Sequence, residues 1–273
     1  GIRFLKGRSS SVFQGVFNSS DEFDSGFEIS FSSSLKSKNY PFSLIVSSNY
    51  KSAFPSPLLE NYNSNHFKWT NNFSNTEILN SSLSLVNEDG RYKIKASWMN
   101  VKDYIFFNSV AVPHQRIEPF NIMQVRSNLR VHLYRKWFLF ADLSLQKTDN
   151  ENTYRMPFIY SYASVFHESL IIKNAMRISY GTGCHYFSKF YADAFMPATS
   201  QFYIQNIVKI GGYPYIDLFV NFRIKTVDFF LKIENASSGF IDLDSFYSLH
   251  QPTPGRTLKA GINWNFKDNQ PRR

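Results

Sequence analysis

The sequence predicts an all-β fold: an antiparallel transmembrane β-barrel of about twelve strands, with fourteen as the alternative. Three observations lead there. Run after run alternates apolar with polar residues at period two. The connections between runs alternate short and long. No stretch has a helical period, and none approaches the roughly 18 apolar residues that a transmembrane helix needs. Aromatic residues make up 18% of the chain, beside abundant Ser and Asn, a mixture that suits two-faced strands.

The alternation places strands near 3–18, 26–36, 41–53, 66–87, 91–108, 120–134, 137–149, 164–173, 175–190, 212–225, 226–236 and 256–266. The runs 1–18 and 66–87 are long enough to hide a turn each, which is the source of the fourteen-strand alternative. In 91–98, Tyr92, Ile94, Ala96 and Trp98 oppose Arg91, Lys93, Lys95 and Ser97. In 123–133, Met123, Val125, Leu129, Val131 and Leu133 oppose Gln124, Arg126, Asn128, Arg130 and His132. In 216–225, Ile216, Leu218, Val220, Phe222 and Ile224 oppose Asp217, Phe219, Asn221, Arg223 and Lys225. In 227–234, Val227, Phe229, Leu231 and Ile233 oppose Asp228, Phe230, Lys232 and Glu234. The last run sets Leu258, Ala260, Ile262, Trp264 and Phe266 against Thr257, Lys259, Gly261, Asn263 and Asn265.

Short connections fall at Lys38-Asn39-Tyr40, Glu88-Asp89-Gly90, Arg135-Lys136, Lys173-Asn174 and Lys225-Thr226. Asp89-Gly90 is a strong tight-hairpin signal. Long connections fall around 19–25, 54–65, 109–119, 150–163, 191–211 and 237–255 and hold most of the prolines. Short turns at one end and long loops at the other are how outer-membrane barrels are built. The even count puts both chain ends at the short-turn end. Residues 1–266 read as one barrel domain and 267–273 as a frayed tail. The chain starts at Gly1 without a signal peptide, so an exported form is expected to be mature or processed.

Lipid on the apolar face and a wet lumen on the polar face explain this pattern. Burying so many ionisable groups in a dry core would cost several kcal/mol each unless they were paired. On this register Lys93, Lys95, Arg126, Arg130, Arg177, Arg223, Lys225, Lys232 and Lys259 point inward. Glu28, Asp142, Asp217, Asp228 and Glu234 face the same space, and Phe138, Phe140, Phe219 and Phe230 narrow it. The basic residues either pair across strands and plug the lumen or leave a positive surplus that favours anions. The net charge of +9 is spread one or two residues per strand, not clustered as nucleic-acid binding requires.

Other chemistries find little support. Cys184 is the single cysteine, which excludes a disulfide framework. His66, His114, His132, His167, His185 and His250 form no metal-ligand spacing. A lipid-hydrolysing barrel is the natural enzyme alternative, but His132 and His185 alternate onto the polar side, and no nucleophile motif is present. The reading is therefore of a non-enzymatic chain without metal or cofactor.

The last strand, with Lys259, Gly261, Trp264 and Phe266, resembles the C-terminal assembly signal of bacterial outer-membrane barrels. Several stretches resemble a family: 191–197 (YADAFMP), 201–206 (QFYIQN), 211–219 (GGYPYIDLF), 229–235 (FFLKIEN) and 252–256 (PTPGR), with weaker matches at Val112-Pro113 and Glu118-Pro119. Together with the final strand they resemble the putative-porin family of outer-membrane barrels from the Bacteroidota. The similarity is dense over the C-terminal third. It implies an outer-membrane location, insertion by the barrel assembly machinery, lipid as the surrounding partner and passive permeation of small polar or anionic solutes. The alternative is a non-conducting barrel that serves as a subunit or scaffold of a larger outer-membrane complex.

Overall fold

The computed structural model describes residues 2–6, 9–19, 25–37, 39–172, 175–240, 246–249 and 251–264. Their main element is a thirteen-stranded antiparallel sheet. Its strands are β1 (Ile2–Lys6), β2 (Ser9–Ser19), β3 (Ser25–Lys36), β4 (Phe42–Ala53), β5 (Thr76–Asn87), β6 (Tyr92–Lys102) and β7 (Phe120–Tyr134). They continue as β8 (Trp137–Thr148), β9 (Ile159–Ile171), β10 (Met176–Phe187), β11 (Tyr215–Ile224), β12 (Val227–Glu234) and β13 (Thr257–Trp264). Each strand pairs with its neighbours in chain order, so the sheet is a plain meander.

Thirteen strands replace the expected twelve because the run 3–18 divides: β1 folds back on β2, with Lys6 opposite Ser9. The run 66–87 keeps one sheet strand, β5, and its first residues join a small loop hairpin of Asn61–Asn63 with Lys68–Thr70. The odd count overturns the expectation of both ends at the short-turn side, since β1 and β13 run in the same direction. Among the described residues no pairing joins β1 to β13, so the hydrogen-bonded order is a row with two edges, not a ring. The run 91–108 breaks at Asp103, which takes a left-handed φ of 54°. Beyond it, Tyr104–Phe107 pairs with Pro113–Arg116 inside the loop. Strand β9 begins five residues ahead of the expected 164, because Leu145 of β8 pairs with Ile159. The only helix among the described residues is one turn, Pro57–Glu60.

The hairpin turns follow their sequences. At Asn87–Gly90 the Gly90 N–H donates to the Asn87 carbonyl at 2.9 Å, and Gly90 takes φ 70°. Arg135 and Lys225 each adopt φ 52° in two-residue turns. Of the expected turn Lys38-Asn39-Tyr40 only Lys38 lies outside the described residues, and the Ser37 N–H donates to the Phe42 carbonyl at 3.0 Å across it. The expected turn at Lys173-Asn174 lies outside them, as do Phe266 and the tail 267–273.

Cross-strand partners drift steadily. Ser9, at the turn end of β2, lies opposite Leu35, then in succession come Leu44, Leu85, Ile94, Ser127, Leu143, Ser161 and Tyr186. Tyr186 sits at the loop end of β10. The strands are therefore staggered and must tilt, as in a barrel wall.

One face of the sheet is apolar and uncovered by protein. Ile94, Met123, Leu258 and Ile262 leave half or more of their surface exposed. A register shift between His132 and Tyr134 turns Tyr134 to the same side as Trp137, which adds to an aromatic belt of Tyr92, Trp137 and Trp264 near the turn end. Among the described residues every buried large hydrophobic residue lies at the opposite, loop end. Val101, Phe120 and Ile122 form one cluster, with Tyr104 and Tyr154 against it. Trp69, Phe107, Ala194 and Ile210 are buried in the loops.

Candidate functional site

The second face of the sheet holds most of the polar and charged side chains, with the Val101, Phe120 and Ile122 cluster at its loop end on β6 and β7, and the polar groups fall into three zones. The first zone, across β3 to β5, is a wall of small hydroxyls and amides. Ser47 and Ser82 hydroxyls are 2.8 Å apart, and the Asn49 amide donates to Glu28 Oε1 at 2.6 Å. These residues share a face because Ser30, Asn49 and Asn80 are consecutive cross-strand partners.

The second zone, across β6 to β12 toward the turn end, holds most of the basic residues. Arg126 Nε donates to Asp142 Oδ1 at 2.9 Å, and its second nitrogen binds the other carboxylate oxygen. Gln124 beside it donates to both Ser144 Oγ at 3.0 Å and Gln146 Oε1 at 2.9 Å. Glu168 lies within 3.4 Å of both Arg130 and Arg177. The Arg130 guanidinium also sits 5.4 Å from the Phe138 ring and 5.7 Å from the Phe166 ring. Arg223 pairs through both nitrogens with Asp228 across the tight hairpin. Lys93 and Lys95 make no ion pair among the described residues, and Asn128 and Arg126 are their cross-strand partners.

The third zone lies at the loop end of β9 to β13. Lys232 bridges Asp217 at 3.0 Å and Glu234 at 3.2 Å, and Glu234 reaches Lys259 at 2.7 Å. Asp217 is buried, and its Oδ1 accepts from the Asn235 backbone N–H at 3.0 Å. His185 Nε2 stands 3.7 Å from Asp217, and its ring lies 4.3 Å from that of Tyr162. Tyr160, Phe187 and Tyr215 complete a cavity of about 290 Å3 around these groups.

Eight of the nine predicted basic residues thus stand on strands of this one face. Lys225 is the exception: it occupies the left-handed turn position between β11 and β12, where the chain reverses and strand alternation stops applying. Six of the eight are ion-paired, so the surplus expected from counting is largely neutralised. Glu168 is the carboxylate that the alternation did not reveal. The stretch Val165-Phe166-His167-Glu168 has no clean polar-apolar period, so its facing was illegible. The aromatic lining of the third zone was missed for the same reason.

Of the assembly-signal residues, Lys259 faces Glu234. Gly261 lies under Phe230, whose ring would be only 2.5 Å from an added Cβ. Glycine is needed there because the aromatic ring covers the backbone. Trp264 is exposed on the apolar face.

Over the loop end lies a cap built by several loops. Trp69 packs edge-on to Phe107 at 6.0 Å, Tyr62 hydroxyl donates to the Ala198 carbonyl at 3.2 Å, and Ile204 N–H donates to the Phe107 carbonyl at 3.0 Å. Gln205 is a clip: its amide donates to Ala192 and Val208 carbonyls, and its oxygen accepts from the Ile207 and Val208 N–H groups. Arg155 binds the Gln205 carbonyl and donates to Asn206 Oδ1 at 2.7 Å. Burial pushes the Asp193 carboxyl up from its ordinary range, with Arg155 opposing, and lowers the Arg155 guanidinium. Burial also pushes the Tyr104 phenol up to about 12, with Tyr154 and Asp193 adding to it.

The family model described as "Putative porin" matches residues 6–268. The chain belongs to this porin family. It is a protein of the bacterial outer membrane, and the uncovered apolar face of its sheet is the one suited to lipid. No curated protein matches the chain by sequence. Its fold is similar to the siderophore receptor PirA from Acinetobacter baumannii, at 11% identity and a TM-score of 0.61, covering 95% of this chain and 44% of the receptor. It is also similar to the FrpB iron transporter from Neisseria meningitidis, at 14% identity and a TM-score of 0.61, covering 97% of this chain and 43% of the transporter. This porin-family chain therefore spans less than half the length of either structure.

The motifs that carry the family resemblance meet in space. Gly211 and Gly212 take φ 97° and 77°, which only glycine adopts freely, and steer the chain into β11. The Tyr213 hydroxyl then donates to Asn235 Oδ1 at 2.8 Å and lies 3.0 Å from Ser237 Oγ. Asn235 Nδ2 donates to the Pro254 carbonyl at 3.0 Å. One buried network thus ties three separate motif segments to Asp217 and the third zone.

Proposed function

We propose that this wall belongs to a closed barrel and lines a route for passive diffusion of small polar solutes across the outer membrane. The observation that carries this reading is the polar face itself. It carries the hydroxyls, amides and ion pairs of all three zones, with Phe138, Phe140, Phe219 and Phe230 between them and the Val101, Phe120 and Ile122 cluster at the loop end of β6 and β7, opposite an uncovered apolar face. A wet lumen tolerates paired charges whose burial in a dry core would be costly. The selectivity follows from what remains unpaired. Lys93 and Lys95 keep a positive potential in a confined space, so small anions are preferred, but more weakly than nine free cations would impose.

Conductance of the purified protein in a planar bilayer tests the reading. The expected result is stable channels whose reversal potential in a salt gradient favours anions. Silence from a verified, inserted protein would defeat it and favour a non-conducting subunit of a larger assembly. One observation favours a second reading, a capture barrel of the kind represented by the siderophore receptors: the loop cap has its own dry core. Channels that open only after proteolysis of the loops would support it.

A further inference from the structure

The third zone has a composition that the charged middle of the lumen lacks. Its cavity of about 290 Å3 sits just below the roughly 300–1,000 Å3 of sites for drug-sized ligands, so its occupant is small. Three six-membered aromatic rings and the His185 imidazole line it. Phe187 and Tyr215 are nearly parallel, 16° apart with centroids at 6.4 Å, and Tyr160 stands exposed on the neighbouring strand. Facing them are hydrogen-bonding groups of both signs, Asp217, Lys232 and Glu234. Lys259 beyond Glu234 completes two acids and two bases, so the cluster favours neither anion nor cation.

These groups are held in advance. The Asp217 carboxylate is fixed by the Asn235 N–H and Lys232, and the wall at Pro254 is fixed by the Asn235 amide. Aromatic faces stack on the C–H surfaces of a sugar ring. Fixed donors and acceptors of both signs suit its hydroxyls, which both give and accept hydrogen bonds. A structural ion-pair cluster alone would not need an aromatic-walled cavity beside it.

We propose that this loop-end cavity is a recognition subsite for a small neutral saccharide, a mono- or disaccharide. The inference rests on the diffusion reading for its biological sense, but binding needs no open channel. The test is calorimetric titration of the folded chain in lipid nanodiscs with maltose, using gluconate and glucosamine as charged comparators. Saturable maltose binding is expected in the millimolar range, at least fivefold tighter than either charged sugar. Tyr160→Ala should weaken it by fivefold or more, while Tyr160→Phe, which keeps the ring, should stay within twofold. Glu234→Gln should also weaken it, with folding of each variant verified by its circular dichroism before titration. Absence of saturable maltose heat, tighter gluconate or glucosamine binding, or an unchanged affinity in both folded variants Tyr160→Ala and Glu234→Gln would overturn the proposal. Conductance without maltose binding would defeat this inference alone. Maltose binding in a silent barrel would uphold it and defeat the diffusion reading alone.

Discussion

In the loop cap, Trp69, Phe107, Ala194 and Ile210 are buried against protein, and Gln205 satisfies its polar atoms within the same few residues. In the middle of the sheet no large hydrophobic side chain is buried among the described residues; Leu83, Ile94 and Val125 lie open on one face, and serines or ion pairs cover the other. The cap is organised like a water-soluble core. The wall relies on its backbone ladder and on lipid for the apolar side. The difference shows that a membrane wall and a soluble cap can share one chain because each satisfies its backbone and apolar surface by a different solvent.

The sharpest way to break this comparison is Trp69→Ala. It should cost the cap about 3–5 kcal/mol, as for other buried aromatic deletions. Limited proteolysis should then cut the loop 54–75 much faster while the sheet's circular dichroism stays unchanged. Loss of the sheet signal as well would show that cap and wall are not separable.

The wall should respond to side, not to depth alone. Leu83→Arg, on the lipid face, should destabilise by about 2–4 kcal/mol if it lies near the bilayer midplane. Its neighbour Ser82→Arg, on the polar face, forfeits one hydroxyl contact with Ser47, about 1 kcal/mol or less. Urea unfolding from liposomes measures both, and equal costs would invalidate the facing.

Charge changes on the polar face should alter selectivity more than stability. The double variant Lys93→Gln, Lys95→Gln should move the reversal potential toward cations. Asp142→Asn should move it toward anions by releasing the Arg126 charge. Each should change stability by about 1 kcal/mol or less, as for solvated ion pairs. A reversal potential that ignores both changes would place these groups away from the conducting path.

The smallest expected effect is a pH response of the cap. The folded-state carboxyl of Asp193 lies above its unfolded value because of burial. Its contribution to cap stability is therefore complete below the ordinary carboxylate range and is lost as pH rises through the raised value. Proteolysis within 188–214 should be slower in acid than at neutral pH, with a protease active in both, and Asp193→Asn should flatten that dependence. A cap that loosens on acidification would reverse the sign.

The facing of Lys93, Arg126, Asp217 and Ile262 was legible in the sequence, because strand alternation is local and each residue's side follows from its immediate neighbours. So were the hairpin at Asp89-Gly90 and the left-handed glycines before β11, which depend on backbone sterics at single positions. Tertiary structure decided which charges neutralise which. Arg126 finds Asp142 sixteen residues away, and Arg130 finds Glu168 thirty-eight away, only once three strands are in register. It also decided that the first run holds two strands and that distant loops share one dry core. It gathered Tyr213, Asp217, Asn235 and Pro254 into one network. Period-two patterning fixes the side of a residue but not its partner, because register is a property of paired strands and loop docking a property of the whole loop end.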